Sequence, residues 1–168
     1  MTAISHVWKR FCGPLLRAAV AAVLVAAAAS AGAGDVTFAT ESLVLETETG
    51  AHPLTVEIAE TAPQLERGLM FRRALADESG MLFLYERDDF IMMWMKNTYL
   101  SLDMLFIDRH GRVVRVAERT TPLSRDLIPS LVPIRAVLEV KAGTAKRLGV
   151  KAGSIVRYRA FGNATGGR

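Results

Sequence analysis

From Val36 onward the chain alternates apolar and polar residues over short stretches separated by glycines and charged turns. This is the period-two pattern of half-buried strands. Val36 to Glu46 suits a first strand, and Leu54, Val56 and Ile58, alternating with Thr55, Glu57 and Ala59, suit a second. Thr49-Gly50 between them predicts a hairpin. Thr61-Ala62-Pro63-Gln64 predicts a helix start, with Thr61 as cap, Gln64 spaced to reach back to it, and a proline the first turn tolerates. The helix extends to about Leu69, and Phe71 to Ser79 reads as a charged connector.

Met81 to Tyr85 predicts a short apolar strand and Glu86 to Asp89 a charged turn. Phe90 to Lys96 is apolar on both faces of an extended chain, Phe90, Met92 and Trp94 on one and Ile91, Met93 and Met95 on the other. That pattern predicts a central strand. Leu102 to Asp108 and Val113 to Glu118 flank Arg109-His110-Gly111, a hairpin whose glycine supplies the positive φ of the turn. Thr120 to Pro133 lacks periodicity and reads as a long surface loop. Ala136 to Val140 predicts a strand, Gly143 to Leu148 a short helix closed by Gly149, Ile155 to Ala160 a last strand, and Gly162 to Arg168 a disordered tail. Hairpin-linked strands outnumber helices. The expected fold is therefore a β-rich α+β domain, a mostly antiparallel sheet or partly closed β-barrel with two short helices.

Composition changes this picture mainly at the start of the chain. Lys9, Arg10 and Arg17 precede an apolar Ala/Val/Leu run from Ala18 to Ala29, followed by the small residues Ser30 to Gly34. This is the layout of a secretory signal, expected to span residues 1–33 with cleavage after Ala31 or Ala33, and it predicts a periplasmic or secreted protein. A membrane would be met only through that segment, if uncleaved. Its removal lowers the basic count from 21 to 18 against 17 acids, so the charge of +4 falls to about +1. No dense basic patch with interleaved aromatics remains, and no nucleic-acid partner is expected. The single cysteine, Cys12, lies in the same segment, so the remaining residues 34–168, a single domain with its core at 43–160, have no disulfide or thiolate chemistry. No cofactor is expected, and the domain is expected to be a monomer.

The chemistry is concentrated between Arg67 and Asp103. Lys96-Asn97-Thr98 ends an apolar strand, where polar groups are costly unless paired or open to a cleft. A cleft lined by Arg67, Phe71 and Trp94, with Lys96, Asn97, Thr98 and Asp103 converging on it, would bind a small polar or anionic ligand or a cell-envelope component. The same residues also allow a plain structural reading: a Lys96–Asp103 ion pair beside an Asn97-Thr98 turn. Two other activities are conceivable. Lys96 oriented by Asp103 could serve an envelope hydrolase, and the methionines of Met92-Met93-Trp94-Met95 could offer soft sulfur to Cu(I). No nucleophile elbow, His-centred dyad or zinc-protease motif accompanies them.

Several of these strings occur together in a known family. Arg67-Gly68-Leu69-Met70-Phe71-Arg72, Gly80-Met81-Leu82-Phe83, Trp94-Met95-Lys96-Asn97-Thr98 and Leu102-Asp103-Met104-Leu105-Phe106-Ile107-Asp108, then Gly111 and the Ala142-Gly143-Thr144-Ala145 segment, resemble the DUF192 family over roughly Leu43 to Ala160. The resemblance implies a small, mostly β, exported domain. It carries no assigned activity and no catalytic residues.

Overall fold

A computed structural model describes residues 36–164. The segment read as a signal, and residues 165–168 of the predicted tail, lie outside them. Strands β1 (Ala39–Thr47) and β2 (Gly50–Ala59) form the expected hairpin, turning at Thr47 and Gly50. Helix α1 (Ala62–Arg67) starts as the sequence predicts: the Gln64 Oε1 accepts from the Thr61 and Glu60 amides at 3.0 and 3.1 Å. It carries the chain over to β3 (Ser79–Asp89), which lies parallel to β2. There follow β4 (Met92–Met93), β5 (Leu102–Ile107), β6 (Val113–Ala117), β7 (Ile128–Pro129), β8 (Ile134–Lys141), α2 (Thr144–Leu148), β9 (Ile155–Arg157) and a 3₁₀ turn at Arg159–Phe161.

Seven strands make one sheet in the order β6-β5-β8-β3-β2-β1-β9, and every pair in it except β2–β3 is antiparallel. The two edges meet. Arg112 bridges Ile155, the Val113 amide donates to Ser154 O at 2.8 Å, and the Val156 amide donates to Gly111 O at 2.7 Å. Gly111 serves both the β5–β6 turn, at φ 81°, and this seam: a Cβ there would stand 2.4 Å from Val156 O. The sheet is thus a curled half-barrel, the partly closed form the sequence predicts.

Period-two geometry gives the sheet two apolar faces. Leu45, Val56, Leu82, Leu105, Leu138 and Val140 share one cluster with Val113 and Val156 at the two edges, so this face is the inside of the curl; Ala145 and Leu148 of α2 pack into it. Met81, Phe83, Met104, Phe106 and Val137 point outward and are covered by Leu69, Met93 and Met95, with Leu65 of α1 packed against them. Full burial of each large side chain contributes about 1.5–3 kcal/mol, so neither face is a minor one.

One element differs from expectation. Phe90 to Lys96 is not a central strand. Only Met92 and Met93 are extended, and they pair with Pro129 and Ile128 of β7 in a separate two-stranded ribbon. The segment is apolar on both sides because Met93 and Met95 are buried under it while Phe90, Met92 and Trp94 are exposed. The charged residues 86–89 read as a turn belong instead to the end of β3.

Candidate functional site

The outer face carries a pocket of about 450 Å³ between α1, the residues after it, the end of β3 and the Phe90–Thr98 segment. Its walls are Gly68, Leu69, Met70, Phe83, Phe90, Ile91, Met92, Met93 and Trp94; Glu66, Arg67, Lys96, Thr98, Tyr85 and Glu139 supply its polar groups. The mouth depends on Gly68. This residue ends α1 with its amide bonded to Gln64 O at 2.9 Å, and it takes φ 46° and ψ −140°. A Cβ there would lie 2.9 Å from the Phe83 ring, so glycine lets the loop descend onto β3 and form one wall.

The second wall is tied down by the Asn97-Thr98 turn. Asn97 adopts φ 55°, and the Thr98 amide donates to Met95 O at 3.1 Å. The carbonyls of the turn accept from two distant loops, Asn97 O from the Phe71 amide at 2.8 Å and Thr98 O from the Leu123 amide at 3.0 Å. Phe71 and Leu123 are themselves at φ 66° and 62°, a rare conformation for bulky residues, and both side chains are exposed. The Asn97-Thr98 part of the structural reading therefore holds: the turn clamps the Arg67–Arg72 loop and the long 120–133 loop together.

Of the residues singled out in the sequence, Arg67, Trp94, Lys96 and Thr98 line this pocket. Phe71 and Asn97 stand beside it. The Arg67 guanidinium lies 4.9 Å from the centre of the Phe71 ring, and Lys96 Nζ lies 4.9 Å from that of Trp94. Neither cation forms an ion pair with a carboxylate among the described residues. Glu66 also lines the mouth, which leaves a net positive charge there.

Asp103 is not part of this convergence. It alternates with Leu102 and Met104 on β5, which places it on the inside of the curl, across the sheet from the pocket. It is 0 % exposed, and its carboxylate accepts from three backbone amides: Arg119 at 2.8 Å, Gly143 at 2.9 Å and Ala145 at 2.8 Å. It holds the first turn of α2 and the end of the β6 strand's exit loop, so the expected Lys96–Asp103 pair does not form.

The floor holds a residue that the sequence reading passed over. Glu139 is the single acid in the run Ala136-Val137-Leu138-Glu139-Val140 of β8. It stands opposite Met81 of β3 and Met104 of β5, on the outer face. It is 4 % exposed, lines the pocket, and makes no side-chain hydrogen bond within the described residues. Burial pushes its carboxyl up to about 8. Tyr85 above it is raised from its ordinary value by burial first and by the charge of Glu139 second, and its hydroxyl donates to Met93 Sδ at 3.5 Å. The signal that could have found Glu139 is a lone acid inside a strand whose neighbours are apolar on both faces.

The methionines divide in the same way. Met70, Met92 and Met93 line the pocket, whereas Met95, Met81 and Met104 are core residues, Met95 accepting from the Thr120 hydroxyl at 3.2 Å. No cluster of three His, Cys, Asp or Glu residues suited to a metal occurs among the described residues.

The molecule is thus a curled β domain with an apolar pocket on its outer face, two cations at the mouth that pair with no carboxylate among the described residues, and a buried acid at the floor. It belongs to the DUF192 family, described as an uncharacterized ACR, whose model matches residues 44–158. Two solved structures are similar to it. One is from Sinorhizobium meliloti 1021, described as a proposed transcription regulator. It is 46% identical, covers 76% of this chain and 99% of its own, and superposes with a TM-score of 0.73. The other, a protein of unknown function from Novosphingobium aromaticivorans DSM 12444, is 34% identical, covers 73% and 94%, and gives 0.69. No curated protein matches the chain.

Proposed function

We propose that the domain is an extracytoplasmic binding module for a small organic anion with an apolar body. The observation that carries this is the pocket mouth, where Arg67 and Lys96 stand without carboxylate partners among the described residues over walls of methionine and aromatic side chains. A volume of about 450 Å³ falls in the range of small-molecule sites. The extracytoplasmic part rests on the sequence pattern of residues 1–33, and no helix among the described residues is long and apolar enough to cross a membrane. The name given to the S. meliloti structure raises DNA as a ligand. Against it, the two α-helices among the described residues span six and five residues, too short to lie along a major groove. A second reading, Cu(I) binding, is favoured by one observation, the thioethers of Met70, Met92 and Met93 in the same pocket.

The test is thermal melting of the purified protein with aliphatic and aromatic carboxylates, phosphate monoesters and Cu(I), repeated on Lys96→Ala and Arg67→Ala. An anion at 100 times its Kd adds about 2.7 kcal/mol, several degrees of midpoint for a domain of this size. Both variants should lose the shift. A shift by Cu(I) alone would transfer the site to the methionines, and anion shifts that survive in both variants would remove it from this pocket.

A further inference from the structure

A buried carboxyl with no partner is costly, and native interiors rarely keep one without a reason. Glu139 is buried in apolar surroundings, its side chain makes no hydrogen bond among the described residues, and it lines the pocket. Its neighbours in the sheet, Met81 and Met104, cannot donate to it. The donors among the lining residues are directed elsewhere, the Thr98 hydroxyl to Lys96 O at 3.2 Å. The Tyr85 hydroxyl already spends its proton on Met93 Sδ, and the thioethers of Met70 and Met93 have none to give. The cations Arg67 and Lys96 are engaged on the rings of Phe71 and Trp94, and burial, with no contribution from either cation, accounts for the state of the carboxyl. The floor is therefore rich in acceptors and lacks a cation, while aromatic faces of Phe83, Phe90 and Trp94 line the way in. Carboxylate, lone pairs and ring faces together are the surroundings that suit an ammonium group.

We propose that Glu139 receives an amine at the pocket floor, so that the ligand is a small zwitterion, its ammonium group inward and its anionic group outward at Arg67 and Lys96. This deepens the reading of the mouth as an anion site and rests on it. Binding proceeds with loss of the Glu139 proton to solvent, because the ammonium pairs with the carboxylate. The other titratable or charged groups around the pocket are Tyr85 of β3, Glu66 and Arg67 of α1, and Lys96 of the Asn97-Thr98 turn. With a carboxyl that titrates at about 8 in the empty pocket, affinity for the zwitterion climbs about tenfold per pH unit up to that value and levels off above it.

Three probes of matched length separate the two ends of the ligand: ε-aminocaproate, caproate and hexylamine. Their affinities for the full-length protein are measured by calorimetric titration from mildly acidic to mildly alkaline pH, on wild type, Glu139→Gln and Lys96→Ala. Wild type should prefer ε-aminocaproate to caproate by about tenfold or more, the worth of a charge-assisted bond. Glu139→Gln should bring that ratio close to one and flatten its pH profile, a change that a purely structural role for Glu139 would not produce. Lys96→Ala should weaken both carboxylates and leave the preference for the amine. Equal or better binding of caproate in wild type would overturn the proposal and leave the anion site standing. Binding of hexylamine with no benefit from a carboxylate would sink the anion reading and keep the amine at Glu139. Cu(I) binding without response to any of the three would overturn both.

Discussion

Asp103 and Glu139 lie on adjacent strands, one residue apart in register, since Met104 pairs with Glu139 and Asp103 with Val140. Both are buried acids, yet they sit on opposite faces of the sheet and live in opposite surroundings. Asp103 faces the inside of the curl, and its carboxyl oxygens accept from three backbone amides. Glu139 faces outward with no hydrogen-bond partner among the described residues, and burial pushes its carboxyl up to about 8. The difference separates two reasons for keeping an acid in a core. The inner one organises the chain. It caps α2, whose N-cap residue, Gly143, has no side chain to do so. The outer one makes no hydrogen bond among the described residues and stands at the end of a pocket.

The largest effect is expected at Asp103. Asp103→Ala should lower stability by about 3 kcal/mol or more, because three buried amides lose their acceptor together; urea unfolding would show it, and a loss under 1 kcal/mol, on the order of one ordinary hydrogen bond, would mean the three contacts do little. Glu139→Met should act in the opposite direction, raising stability by about 2 kcal/mol as a buried carboxyl is replaced by a residue like its neighbours Met81 and Met104. A destabilised variant in the same urea series would show that the acid has a hidden structural partner.

The two carboxylates at the extremes of titration sharpen the contrast with pH. Glu139 keeps a proton up to about 8 when folded and only to 4.5 when exposed. Between those values the folded chain binds the extra proton, so stability falls as pH rises through that window and is flat above it. Glu41 behaves inversely. The Arg159 guanidinium hydrogen-bonded to it lowers its carboxyl to about 2, so its contribution is present above 4.5 and is lost as pH falls toward 2. Melting midpoints across pH should therefore lose the upper slope in Glu139→Gln and retain the acid-side loss.

Smaller effects belong to the pocket walls. Gly68→Ala should cost about 1–2 kcal/mol, since the new Cβ meets the Phe83 ring in a backbone conformation that suits glycine, and it should also weaken ligand binding. Lys96→Ala should change stability by no more than about 0.5 kcal/mol, as its ammonium is bonded to no carboxylate. A large loss of stability in that variant would return Lys96 to a structural role.

Much of this was legible in the chain. The β1–β2 and β5–β6 hairpins, the Gln64 capping contact, Gly111 and the Gly149 end of α2 follow from local patterns that tertiary packing reinforces. The face of Asp103 was legible too, since Leu102 and Met104 must point the other way. Phe90 to Lys96 was misleading for a physical reason: a segment with one side on the core and the other on an open apolar pocket has the composition of a strand buried on both sides. Glu139 was hidden because one acid does not disturb the reading of an otherwise apolar strand, and its lack of a partner is a fact of three dimensions.

The seam at Arg112 and Ile155 has a bearing on how this domain meets other proteins. A sheet with a bare border is a template onto which a foreign strand can add, and natural proteins guard such borders. Here β6 and β9 close on each other, with Gly153 N–H on Val113 O as well as the bonds already described. Where Gly111 to Val113 meets Gly153 to Val156, and where β9 covers Val44 to Glu46 of β1, the backbone groups of the border are already paired. At that seam the two borders guard each other, and no foreign strand can add there without first parting them.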